Sequence, residues 1–288
     1  MSEVQVQDQM FDLRCTVRNC GQVLRLADTC LRCDNGHSFD RAKQGYWNLT
    51  QPQDSKSSTP GDSDAAVEAR HRWLQSGRMN GFTEFLQTWV DDCLGVSGDE
   101  ENVRVIDLGC GEGTFGKALF HDRSVTYCGI DLSKRAIKLA ARSWPQATWV
   151  LANADRRLPI VDVGVSLAVS LFGRRPCEGL HRVLVSGGHC IFAVPAADDL
   201  IELREQVQLE GRQRNRSSAI IDEFAKAGFE LVEHSNWRTN VLLDADSISD
   251  AMAMTYRAFR FSQQQRMEAI SSANVTLAAE LLLMKKTA

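Results

Sequence analysis

Five soft metal ligands crowd the start of the chain: Cys15, Cys20, Cys30, Cys33 and His37. Cys15 and Cys20 are separated by four residues, Cys30 and Cys33 by two, and His37 stands four beyond Cys33. Two close pairs about a dozen residues apart is the spacing by which a short chain wraps one tetrahedral zinc ion. A module of roughly fifty residues buries too little apolar surface to fold alone, and a metal supplies what the core lacks. Two ligand sets satisfy the spacing, Cys15, Cys20, Cys30 and Cys33 or Cys15, Cys20, Cys33 and His37, and spacing alone does not choose between them.

A second constellation is the loop DLGCGEGTFG, residues 107–116. Its glycines let backbone N–H groups approach a polar ligand at a strand-to-helix turn. Gly111, Gly113 and Gly116 also spell the dinucleotide fingerprint G-x-G-x-x-G. Against a dinucleotide, Asp107 leads into a tighter repeat, Gly109-x-Gly111-x-Gly113, and an acidic residue there repels a pyrophosphate. S-adenosylmethionine, with a cationic sulfonium and an amino group, tolerates that acid and fits better. Asp131, followed by Leu132, ends the next strand 18 residues past Gly113, where a carboxylate accepts hydrogen bonds from ribose hydroxyls. Asp155, in the loop after the third strand, stands where an adenine edge would be met, although a simple capped loop explains it equally well.

The elements that must position these residues alternate. DAAVEARHRWLQSG and GFTEFLQTWVDDCLG are amphipathic helices with glycine at or near their ends. NVRVIDLG (102–109), SVTYCGI, ATWVLA, VSLAVSLF and HCIFAV are short strands rich in β-branched residues, and the spans 114–121, 133–144 and about 176–184 between them are helical. The pattern predicts a doubly wound, mostly parallel α/β domain with its chemistry at the carboxyl ends of the strands. QPQDSKSSTPGDSD is a linker by composition. The predicted organisation is therefore a zinc-binding module over 1–50, a linker over 51–63 and the α/β domain over 64–288.

At 288 residues, with a net charge of −4, the chain holds one full core and a small appendage, and its surface as a whole does not advertise nucleic acid. Arginine outnumbers lysine 25 to 8, and the local clusters Arg156-Arg157, Arg174-Arg175 and Arg212, Arg214, Arg216 are suited to phosphate. No apolar run approaches the length of a membrane span, and the first residues lack the pattern of a secretion signal. Nine cysteines then read as reduced thiols, the five beyond the first module being core residues, in a cytoplasmic protein.

Taken together, the chain resembles the bacterial 23S ribosomal RNA (guanine-N1)-methyltransferases, which join an N-terminal zinc module to an S-adenosylmethionine-dependent domain of Rossmann-like fold. The resemblance is carried by C-x4-C…C-x3-H-S-F-D, AKQGYWNL, PGDS, EARHRWLQSGR, DLGCGEG, GIDLSKRAIKLAA, SGG and LIELR, and it fades after residue 210. It implies Cys15, Cys20, Cys33 and His37 as zinc ligands. It implies a cofactor site formed by Asp107, Gly109, Gly111, Glu112, Gly113, Asp131, Leu132 and Asp155, with Met79 and Asp199 nearby. Large-subunit ribosomal RNA is the implied substrate, and a homodimer is suggested. The aromatic segment FDRAKQGYWNL becomes the tail of the zinc module, whose rings pack on it or stack on unpaired bases while Arg41 and Lys43 meet phosphate.

The chain departs from the family at three places. Gly173-Arg174 replaces an Ala-Pro step, Asp199 stands where the family has a histidine, and Met79 stands where it has an aromatic. All three surround the expected acceptor pocket, whose walls should come from 170–175 and 195–199. Two alternatives stand beside the leading reading: a methyltransferase-fold RNA-binding protein with weakened catalysis, and a methyltransferase of a small molecule or protein. No Asp, Glu or His presents itself as a general base by spacing.

Overall fold

The computed structural model describes residues 10–55, 61–95, 103–208, 216–255, 266–267 and 269–287. Arg212 and Arg214 lie outside the described residues. The N-terminal segment forms a three-stranded antiparallel sheet: β1 (Arg25–Ala27), β2 (Cys30–Arg32) and β3 (Ser38–Asp40). These strands are only three residues long, so their cohesion comes from what they rest on. Phe11, Leu13, Leu31 and Phe39 share one apolar core with Ile106, Leu108, Ile130 and Ile160 of the large domain.

The large sheet has the order β10-β11-β9-β8-β5-β6-β7-β4. Its centre is β5 (Arg104–Leu108), flanked by β6 (Thr126–Asp131) and β7 (Thr148–Leu151) on one side. On the other stand β8 (Val165–Leu171) and β9 (Leu184–Pro195). These strands are parallel, and nearly every residue of β7, β8 and the carboxyl half of β9 is buried. Such continuous apolar runs suit a sheet covered on both faces. The long hairpin β10 (Phe229–Asp244) and β11 (Ser272–Lys286) closes one side antiparallel to β9.

The opposite edge answers the question posed by the aromatic segment. β4 (Trp47–Asn48) pairs parallel with β7, Trp47 against Val150 and Asn48 against Leu151. Tyr46 and Trp47 are buried, as is Phe39. All three rings are packing groups, and the burial of Tyr46 and Trp47 closes the base-stacking alternative for them. Arg41 lies over the Trp47 ring, 5.6 Å from its centroid, while Arg41 and Lys43 face solvent. A short helix, α1 (Pro52–Ser55), follows.

The helices cover the sheet. α2 (Asp64–Gln75) starts on Ser63, whose Oγ accepts from the Ala66 N–H at 3.2 Å. α3 (Asn80–Gly95) buries Phe82, Leu86, Trp89 and Val90. α4 (Thr114–Phe120) and α5 (Lys134–Ser143) link β5 to β6 and β6 to β7, and α6 (Cys177–Val183) links β8 to β9. Ile201–Leu203 (α7) runs straight into a π-helical stretch, Arg204–Gln208. α8 (Ser217–Lys226) and α9 (Ala245–Thr255) complete the described helices. No helix among the described residues is long and apolar enough to cross a membrane. Of the five later cysteines, Cys93, Cys128, Cys177 and Cys190 are buried and Cys110 is half-buried.

Candidate functional site

Strand order reverses between β5 and β8, so a crevice opens beyond their carboxyl ends, the place where doubly wound sheets bind ligands. The two loops bordering that crevice touch. Gly109 has φ 70°, and a Cβ there would lie 3.0 Å from Gly173 Cα. A Cβ on Gly173 would come within 2.3 Å of the Leu108 carbonyl oxygen. An alanine at 173 therefore does not fit this backbone. The departure to Gly173-Arg174 lets the β8 loop settle directly on the glycine loop.

The glycine loop is acidic and mostly buried. Asp107 is buried, and burial pushes its carboxyl up to about 7 against the opposing effect of Tyr127. The Tyr127 hydroxyl donates to Asp107 Oδ2 at 2.7 Å. Glu112 is buried too and also raised by burial; Thr114 donates to its Oε1 at 3.1 Å. Asp131 accepts from the Gly111 N–H at 3.0 Å and the Ser133 N–H at 2.7 Å, holding the β6 loop to the glycine loop. Burial raises its carboxyl as well. Arg70, paired with Asp62, lies close enough to Glu112 and Asp131 to act on both charges. Gly61, at φ 83°, rests on the backbone of Leu132 and Ser133. The linker motif thus packs over the cofactor loop.

Three clustered carboxyls, two of them buried, share one nearby arginine, Arg70, which is itself paired with Asp62. This surplus of negative charge disfavours a pyrophosphate and suits a ligand bearing a sulfonium and an ammonium group. The donor set therefore fits S-adenosylmethionine. Asp155 stands apart from this cluster in the contacts it makes. Its carboxylate pairs with Arg174 at 3.3 Å, and both side chains are largely exposed, which is the arrangement of a solvated surface pair. Arg175 turns back, donating from Nη1 to the Gly173 carbonyl at 2.8 Å.

Beside the glycine loop lies a pocket of about 400 Å³. Met79 and Asp199 both line it, with Phe115, Phe172, Pro195 and Trp237 forming much of its apolar wall. Phe82 ties the wall together, its ring centroid 5.5 Å from those of Phe115 and Phe172 and 5.3 Å from that of Trp237. Ser170 stays out of the pocket, fully buried, with its hydroxyl donating to the Arg174 carbonyl at 2.9 Å. Sequence reasoning missed Arg70, Arg204 and Trp237 in this lining, and singled out Arg216 only as one of a phosphate-suited cluster. Trp237 lies on an edge strand far from any motif. Arg204 stood inside the matching LIELR stretch, which was its only signal.

At the N-terminus, Cys15, Cys20, Cys33 and His37 present four donor atoms within 4.8 Å of one another. Cys20 and Cys33 sulfurs are 3.8 Å apart, and His37 Nδ1 stands 3.5 Å from Cys15 Sγ and 3.4 Å from Cys33 Sγ. Two thiolates on one tetrahedral zinc stand about 3.8 Å apart, given bonds of about 2.3 Å. A turn makes this possible: the Cys33 N–H donates to the His37 carbonyl and the Gly36 N–H to the Cys33 carbonyl. Cys30 instead donates to the Ala27 carbonyl at 3.2 Å, within the β1–β2 hairpin. The site suits zinc, which here would hold structure, having four protein ligands and no open position.

Comparison with known proteins agrees with both halves. Residues 13–59 match the zinc-ribbon family described as "RlmA, N-terminal", and residues 99–148 match a methyltransferase domain family. A solved structure from Bacillus halodurans, provisionally described as a methyltransferase, superposes with TM-score 0.50 at 15% identity, covering 69% of this chain and 99% of that one, and so shares the fold. A Micromonospora griseorubida protein provisionally named a 23S rRNA (guanine-N(1)-)-methyltransferase is 30% identical over 86% of each chain. The Streptomyces fradiae 23S rRNA (guanine(748)-N(1))-methyltransferase is 32% identical over 84% of each chain. On likeness that runs through both the ribbon and the sheet, the chain belongs to the 23S rRNA (guanine-N1)-methyltransferase family.

Proposed function

We propose that the protein transfers a methyl group from S-adenosylmethionine to N1 of a guanine in large-subunit ribosomal RNA. One observation carries this reading: the aromatic-walled pocket opens directly beside the acidic glycine loop, so a flat base and a cationic methyl donor can meet at the switch point of the sheet. When bound, the cofactor supplies a methyl group made electrophilic by its positive sulfur.

The chain's own residues do the rest. Asp107, Gly109, Gly111, Glu112 and Gly113 hold the donor's charged end and Asp131 and Leu132 the ribose; Asp155 takes the adenine edge only by giving up its surface pair with Arg174. Met79 and Asp199 stand between donor and acceptor. Guanine N1 is on the Watson–Crick edge, so the base must come from a loop or be flipped into the pocket, where Phe172 and Trp237 offer stacking faces. The ribbon, held by zinc on Cys15, Cys20, Cys33 and His37, presents Arg41 and Lys43 to the RNA backbone. The same proposal places the protein in the cytoplasm. It extends to a pair of copies, for which the outermost strand β10 offers an edge; light scattering reads that directly.

The test is transfer of label from S-adenosylmethionine to large-subunit RNA taken from cells lacking the gene, run beside total protein and a metabolite extract. Digestion of the RNA should place the label in 1-methylguanosine. Label in protein or metabolites alone would overturn the reading.

A further inference from the structure

Arg204 is buried to 2% exposure, yet its Nε and Nη1 have no hydrogen-bond partner. Its Nη2 alone is engaged, donating to the Ala197 carbonyl at 2.8 Å. A guanidinium shut away from water with two unpartnered nitrogens is costly and calls for a partner. Arg204 lines the aromatic pocket, so a ligand there can supply it. The residue also opens the π-helical stretch Arg204–Gln208, a helical irregularity that recurs at functional sites.

Asp199 lines the same pocket and is the one carboxylate among its described lining residues. Its Oδ1 accepts from the Ala278 N–H at 2.9 Å, which pins it between the end of β9 and β11. The turn that carries it is fixed by Leu200, held at φ 51° with its N–H on the Thr276 carbonyl at 2.7 Å. A non-glycine residue in the left-handed region is strained, and such strain clusters where a side chain must be aimed. Neighbouring acids are otherwise occupied: Asp198 pairs with Arg238, and Glu202 accepts from Thr276.

Resting on the guanine reading above, we propose that Asp199 and Arg204 recognise and activate the acceptor base, Asp199 as the general base at N1 and Arg204 as the donor to O6. The N1–H proton passes to the Asp199 carboxylate, and the electron pair left on N1 is shared with O6, where the Arg204 N–H groups meet the growing negative charge. The N1 pair then bonds the methyl carbon as the methyl–sulfur bond breaks, and sulfur keeps that pair as a neutral thioether. The proton leaves Asp199 for water through the open pocket. Adenine is rejected twice, because it carries no proton on N1 and presents an amino group where O6 should be. The chemistry also accounts for the local electrostatics. Burial lifts the Asp199 carboxyl to about 6 against the pull of the Ala278 N–H and Arg204, with Asp198 and Glu202 adding to the rise, so it is ionised yet basic near neutral pH.

Single-turnover methylation of large-subunit RNA from cells lacking the gene, at saturating S-adenosylmethionine, tests this beside calorimetric binding of the cofactor alone. Asp199→Asn should slow the transfer about a hundredfold or more while leaving cofactor affinity within threefold. Arg204→Lys should slow it about tenfold or more, since a point charge does not replace the planar fork. The wild-type rate should climb as pH rises through 6, and Asp199→Asn should lose that climb. A wild-type rate flat from pH 5 to 8 overturns the proposal without relying on any variant to fold. So does an Asp199→Asn protein with normal rate at saturating cofactor and tenfold weaker cofactor binding, which makes Asp199 a cofactor contact. Wild-type protein that leaves guanine unmethylated overturns the underlying reading instead.

Discussion

The zinc ribbon and the acceptor pocket are built in opposite ways. The ribbon draws its four donor atoms from one short stretch, Cys15 to His37, and closes them with local turns. The pocket gathers Arg70, Met79, Phe115, Phe172, Asp199, Arg204, Trp237 and Ala279, drawn from a span of more than two hundred residues. A local site owes its geometry to turn chemistry and to its metal. A distributed site owes it to the whole sheet. The two should therefore fail differently: the ribbon through loss of one ligand, the pocket through small losses of fit.

The largest expected effect is on the ribbon. Cys33→Ser should abolish metal binding at one zinc per chain, removing an interaction worth about 10–16 kcal/mol in isolated zinc modules. Cys30→Ser should keep the metal, and metal analysis of the two proteins gives the answer. Reverse behaviour would move the site to the all-cysteine set.

Next is the seam between the two regions. Trp47→Ala removes a buried ring from the edge strand beside β7 and should cost about 3–5 kcal/mol in thermal or denaturant unfolding. Were Trp47 an RNA-stacking residue, the substitution would weaken RNA binding and leave stability unchanged.

Smaller effects belong to the distributed site. Asp131→Ala should weaken S-adenosylmethionine binding at least tenfold, in line with about 1.5–3 kcal/mol for a lost charge-assisted hydrogen bond. Calorimetry showing tight binding of a dinucleotide and none of S-adenosylmethionine would contradict the site. The most gradual effect is on pH. Asp107 is raised from 3.8 to about 7, so between those values the folded protein holds a proton that the unfolded chain has released. Stability from this group therefore falls as pH rises from about 4 to 7 and then levels. Relative to wild type, Asp107→Asn should gain stability across that window and no more above it, as read by unfolding without cofactor.

Much of this was legible in the sequence because the signals were local. Ser63 and Ser133 cap α2 and α5 where the pattern places helix starts, and all five parallel strands of the central sheet fall where the pattern places them, although β9 starts at Leu184, five residues before the predicted span and through the glycines expected to form a turn. The ribbon ligands were narrowed to two sets. Spacing could not choose between them, since both Cys30 and His37 are within reach along the chain; the family resemblance implied the set with His37, and the turn at Cys33 supplies its physical reason. The strand β4 was illegible: two residues carry no periodicity, and their pairing with β7 bridges about a hundred residues. The β10–β11 hairpin lies beyond the matching motifs. Arg204 resembles any arginine on an amphipathic helix until its unpaired nitrogens are seen. No spacing announces a general base that acts from a turn between β9 and α7.

The central claim is tested most directly by reverse transcription across large-subunit RNA from cells with the gene, without it, and with it restored. A methyl on guanine N1 blocks pairing, so the enzyme copying the RNA should halt beside it. The account predicts one such stop in a loop, lost on deletion and regained with the wild-type gene. An identical stop pattern in all three RNAs would contradict it.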